Sequence, residues 1–210
     1  MPIDLNPMDA VRAVEELDKC IQIIGKYASR LKADPDKAAN DLAEALEEVE
    51  KSCKALDDGI KKYLNLGLKS NALDDGSDVL LDISGGGLLA GVQKGLGSCQ
   101  KMSNVYHNTI NRWFERVFKS DNQAYRELAD VFSVLGSADG SLFDLMLNTA
   151  RQVQKHADQT LALVTQDKKQ EARAQVLSSA AELNGLRVRI NELLANLYGV
   201  RAQFIAVARV

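Results

Sequence analysis

Apolar residues recur every three or four positions through most of the chain, most regularly at Val176, Ser179, Leu183, Leu186, Ile190, Leu193, Leu197, Val200, Phe204 and Val207. Side chains at that spacing fall on one stripe of an α-helix, so the run predicts a long C-terminal helix packed lengthwise against its neighbours. The far side of the same helix carries Ala181, Gly185, Ala195, Gly199, Ala202 and Ala206, with Glu192 the one charge along that row. Small side chains let a second helix approach closely. The helix is therefore expected to have two packing faces, one of large residues and one nearly bare, and to lie inside a bundle or at a subunit interface.

Two earlier helices are marked at their starts. Asn6–Pro7 and Asp34–Pro35 each set a capping side chain before a proline at the first helical position, where the missing N–H costs nothing. Val11, Val14, Leu17, Ile21, Ile24, Ala28 and Leu31 form the apolar face of the first helix. Leu42, Leu46, Val49, Cys53, Leu56, Ile60 and Leu64 form that of the second. A connection this short predicts an antiparallel hairpin. Asp41, Glu44, Glu47, Glu48, Glu50 and Lys51 fall mostly off the stripe and read as a solvated face with local ion pairs.

Residues 67–87 are punctuated by Gly67, Asp74, Asp75, Gly76 and Ser77, and a short helix or turn suits Val79–Ile83 better than a strand with no partner. Periodicity resumes from Leu88 to Phe118. Ser120 with Gln123 reads as a capping box opening a helix that Gly136 ends, and a further helix runs from about Leu142 to Thr165. The whole predicts an all-α, elongated antiparallel helical bundle of about six or seven helices with a long C-terminal helix, in a single domain spanning 1–210. Within it the hairpin covers about 8–66, the glycine-rich connection about 67–87, and the remaining bundle helices about 88–210.

Composition supports long helices, since the chain has only three prolines and the last is Pro35. A net charge of −3 argues against a nucleic-acid backbone as partner. Cys20, Cys53 and Cys99 are an odd, widely spaced set, and Met1–Met8 lacks the basic start and apolar core of a signal peptide. A cytoplasmic chain with small thiols in its core is the expectation.

Candidate chemistry is sparse. His107 and His156 are preceded three residues earlier by Asn104 and Val153, so the Glu-x-x-His pairs of di-metal bundles are missing. Gly85–Gly87 before a helix imitates a phosphate loop, but Lys94 is followed by Gly95 where Ser or Thr is needed. Asp74, Asp75 and Asp78 lack the glycine and glutamate positions of a calcium loop. No catalytic residue, metal ligand or cofactor is expected.

Two further patterns remain. Gly87, Gly91 and Gly95 repeat every four residues and would expose a groove of bare backbone, for close packing or for insertion of 79–98 into a membrane. Tyr106, Trp113, Phe114 and Phe118 cluster as core or as the wall of a pocket or partner groove. The leading expectation is a non-enzymatic interaction or assembly protein that packs helices against a protein partner or another copy of itself. A membrane-active protein inserting its glycine-zipper segment is the alternative, and a small-molecule sensor with an aromatic pocket is the second.

Overall fold

The computed structural model describes residues 7–32, 37–68, 73, 77–93, 111–118, 121–136 and 142–205. The described chain is an all-α bundle of nine helices. They are α1 (Pro7–Lys32), α2 (Lys37–Leu68), α3 (Ser77–Ser84), α4 (87–93), α5 (Asn111–Val117), α6 (Asn122–Gly136), α7 (Leu142–Thr165), α8 (Lys169–Ser178) and α9 (Ala180–Ile205). The stripes read from the sequence are the core: Leu17, Ile21, Ile24, Leu42, Cys53, Leu56, Ile60, Ile190, Leu193 and Leu197 are fully buried.

The most extensive contacts are those of α9 with α1 and with α2, whereas α1 and α2 hardly touch. The short connection does bring them antiparallel, but α9 occupies the space between, so the first two helices do not pack as a simple hairpin. Glycine makes the tightest approach possible: a Cβ at Gly25 of α1 would stand 2.8 Å from Val200 Cγ2 of α9. With no side chain there, Val200 seats directly on the α1 backbone.

The C-terminal ladder is split. A turn at Ser179 separates α8 from α9, and the buried Ser179 hydroxyl donates to the Val176 carbonyl at 3.0 Å. A hydroxyl bonded to its own preceding turn competes with the helical ladder and bends it. Every ladder residue that is described still faces inward, from Val176 to Phe204; Val207 and Ala206 lie outside the described residues.

Around this centre α7 packs against α1, α3 and α8, and α6 packs against α1. The start of α6 is capped by Asp121, whose Oδ1 accepts from the Ala124 amide at 3.1 Å; the expected cap, Ser120, lies outside the described residues. The glycine-rich connection contains α3 and leads into α4 through a turn in which Gly86 takes φ +88°. Leu80, Ile83, Leu88 and Val92 of this segment are buried in the common core. Among the described residues no helix is long and apolar enough to cross a membrane.

Candidate functional site

The arrangement of α9 follows from side-chain pairs on its two flanks. Towards α1, Arg189 meets Glu15 at 3.4 Å and Asn196 donates to Asp18 Oδ1 at 2.7 Å, so numbers rise together and the helices run parallel. Towards α2, Arg187 Nε donates to Asp57 Oδ1 at 2.8 Å, and the Lys54 ammonium lies 4.7 Å from the centre of the Tyr198 ring. Arg201 then meets Glu50 at 3.0 Å. Here numbers run oppositely, so α9 is antiparallel to α2.

Glu50 departs from the expected solvated face. It is only 4% exposed, with Lys54 donating to Oε1 at 2.7 Å and Arg201 beside Oε2 without a well-aligned hydrogen bond. A carboxylate this buried persists because two cations neutralise it.

With both flanks occupied, the remaining side of α9 faces outward. Ala181, Gly185, Ala195, Gly199 and Ala202 are all exposed, so no helix of the described chain covers the small face. Val188 lies 56% exposed on the same row and Tyr198 43% exposed at its edge. Positions 181, 185, 188, 192, 195, 199 and 202 alternate four and three residues apart, as the seam of a helix pair does. A Cβ built at Gly185 or Gly199 meets nothing within 4 Å. Nothing in the described fold requires glycine at either place. A shallow groove runs along this surface between Asn184, Arg187, Val188, Asn191, Glu192 and Ala195.

The two described members of the glycine repeat, Gly87 and Gly91, do not share one groove. Gly91 faces α2, where a Cβ would come within 3.3 Å of Ala55, while Gly87 is exposed at the start of α4 beside the Asp82 carboxylate. Gly95 lies outside the described residues. This segment also packs on α2 through Leu88, whose side chain fills the space above Gly59.

Of the aromatic cluster, Phe118 is buried, edge-on to Tyr27 at 5.6 Å, with the Arg30 guanidinium 4.7 Å from its ring centre. It is a core side chain under α1. Tyr106 lies outside the described residues, as do the side chains of Trp113 and Phe114 on α5.

A second polar cluster sits where α2, α7 and the α8–α9 turn meet. Tyr63 and Thr160 share a hydrogen bond at 3.1 Å, and the Thr160 hydroxyl donates to the His156 carbonyl at 2.9 Å, so Tyr63 donates to Thr160. The His156 ring stands 6.4 Å from that of Tyr63, and its buried Nδ1 has no hydrogen-bond partner. Burial holds the His156 imidazole below its ordinary pKa, opposed by Glu182, and pushes the Tyr63 phenol up. Among the described residues no group of His, Cys, Asp or Glu is placed to hold a metal ion. His107 lies outside them.

Sequence reasoning missed Val188 and Tyr198 as outward residues. Val188 carries a readable signal, since it stands seven residues from both Ala181 and Ala195. Comparison with known proteins finds no family model that matches the chain, and no curated protein or solved structure similar to it.

Proposed function

We propose that this is a non-enzymatic helical assembly protein, and that it docks an α-helix of a protein partner on the outward face of α9. The observation that carries this reading is the pair Gly185 and Gly199, mid-helix, exposed and with open space above them. Each glycine costs a helix interior about 1 kcal/mol relative to alanine. A row that keeps two of them, and whose only charge is Glu192, suits a helix lying close by, near the short end of the usual interaxial range.

Docking is favoured over membrane insertion because Leu80 and Ile83 of α3 and Leu88 and Val92 of α4 are already committed to the core. It is favoured over an aromatic pocket because Phe118 is covered by Tyr27 and Arg30.

The test replaces both glycines by leucine, Gly185→Leu with Gly199→Leu. Open space above each should leave the monomer fold intact, with a melting temperature no lower than before, while the native complex isolated from cells loses its partner. A complex that survives with unchanged composition and affinity overturns the reading.

A further inference from the structure

We infer that α8 is an acid-released flap: a proton taken up by His156 lifts this helix off α2 and α7 while α1 and α2 stay packed on α9.

The construction of α8 suits a moving part. Of its ten residues, only Ala172 and Val176 are buried. It hangs between two single-residue articulations. Before its start Asp167 takes φ 59°, a left-handed conformation that Asp tolerates better than most residues. At its end Ser179 takes φ −87° and ψ −6°, close to helical, so a modest rotation there would move α8 as a unit. The seat is thin. Val176 fills the notch above Gly67, where a Cβ would come within 2.9 Å of it, Arg173 Nε donates to the Gly67 carbonyl at 3.1 Å, and Gln175 donates to Gln159 at 3.1 Å. Elements with so few buried apolar contacts open first. Lifting α8 would extend apolar surface that already begins at Leu68 and Leu177, 69% and 48% exposed.

His156 stands at the root of this seat. Thr160, one turn further along α7, accepts from Tyr63 and donates to the His156 carbonyl, and the Tyr63 phenol also lies within hydrogen-bonding reach of Ser179 at the articulation. The buried Nδ1 of His156 has no hydrogen-bond partner. A proton there would set a cationic N–H where no acceptor stands, which costs more than the bare lone pair it replaces. The Tyr63 ring, 6.4 Å away centre to centre, is outside the range at which an aromatic face holds a cation.

The Glu182 carboxylate of α9 favours the charged ring and Lys155 of α7 opposes it; among the described residues no charge on α1, α2, α3 or α8 acts on it. Burial outweighs Glu182 and holds the imidazole below its ordinary 6.5. With the flap lifted, water reaches the ring and the ordinary value returns. The lifted form therefore binds the proton better, and the seat, intact above about pH 6.5, weakens as pH falls from there towards the closed-state value.

Hydrogen exchange of the full chain, read by mass spectrometry and corrected for the intrinsic effect of pH, tests this. Protection within 169–178 should fall about three- to tenfold from about pH 7.5 to pH 5.5, the span that one titrating histidine allows, while the buried stretches of α1 and α9 keep theirs. His156→Gln and His156→Phe, neutral side chains of different shape, should each hold the protection of α8 constant. In the unsubstituted chain the His156 ring, followed by NMR, should titrate below 6.5.

Protection lost from all helices together would mean global unfolding and overturn the flap, as would α8 protection indifferent to pH. A fall that persists in both variants, or a ring that titrates at or above 6.5, would overturn His156 as the trigger and the inference with it.

Discussion

Arg187 holds Asp57 with two guanidinium nitrogens, Nε at 2.8 Å and Nη2 at 3.4 Å, and ties α9 to α2 across 130 residues of chain. Both side chains are largely shielded, and Asn191 adds a third donor to the same carboxylate at 3.2 Å. A forked pair at this depth resists screening better than a surface ion pair. Asp57→Ala should destabilise the fold by about 2 kcal/mol, since it leaves a partly buried guanidinium without its acceptor. Urea unfolding of this variant, of Arg187→Ala and of the double variant would measure the coupling. Additive losses would mean the two groups do not support each other.

Glycines in the two kinds of surroundings should respond oppositely to alanine. A Cβ at Gly59 would lie 2.5 Å from Leu88 Cδ1, so Gly59→Ala must displace the contact between α2 and α4 and should cost about 1–2 kcal/mol. Gly199→Ala meets open space and should stabilise the dilute chain by about 0.5–1 kcal/mol through helix propensity. Denaturation midpoints of the two variants should move in opposite directions.

Acid should weaken the junction at His156. Its folded pKa is held below the ordinary 6.5 by burial, so the unfolded chain takes up this proton at higher pH than the folded one. The stability that accompanies the neutral ring is complete above about pH 6.5 and is lost as pH falls from there through the folded value. Asp121 and Glu127, lowered by Arg30 and by Tyr27 with Lys26, titrate below their ordinary 3.8 and 4.5 and so act in a separate, more acidic window. His156→Gln should flatten the fall of the urea midpoint between about pH 7 and pH 5. Equal slopes in the two proteins would remove His156 as its cause.

Cys20 should be inert in the folded protein. Burial, and then the nearby Glu16 carboxylate, push its thiol up to about 11, and Cys53 has no exposed surface. Alkylation at about pH 8, followed by peptide mass mapping, should leave both unmodified until urea opens the chain. Rapid labelling of either under native conditions would mean that α1 or α2 opens locally.

Periodicity identified which side of each helix is buried, down to single residues such as Val176, Ile190 and Phe204. It did not identify what covers that side. The stripes of α1 and α2 match a direct hairpin as well as they match a helix wedged between them, because an apolar face carries no record of its partner. The information that decides is in pairs far apart in sequence, Glu50 with Arg201 or Asp18 with Asn196, which local spacing cannot connect. The break at Ser179 was hidden for a related reason: a residue in phase with the ladder stays buried even where the helix turns. The outward row of α9 was legible in composition, whereas its exposure required knowing that both flanks were already taken.

The wedge of α9 between α1 and α2 also bears on how the chain acquires its fold. During synthesis the first two helices appear with their apolar stripes facing an empty slot, and the element that fills it is translated long after both. Local turns can form early, but the central contacts close only across most of the polypeptide, which slows folding and leaves sticky surface uncovered in the meantime. Nascent chains stalled before α9 are therefore the ones that a chaperone should retain longest.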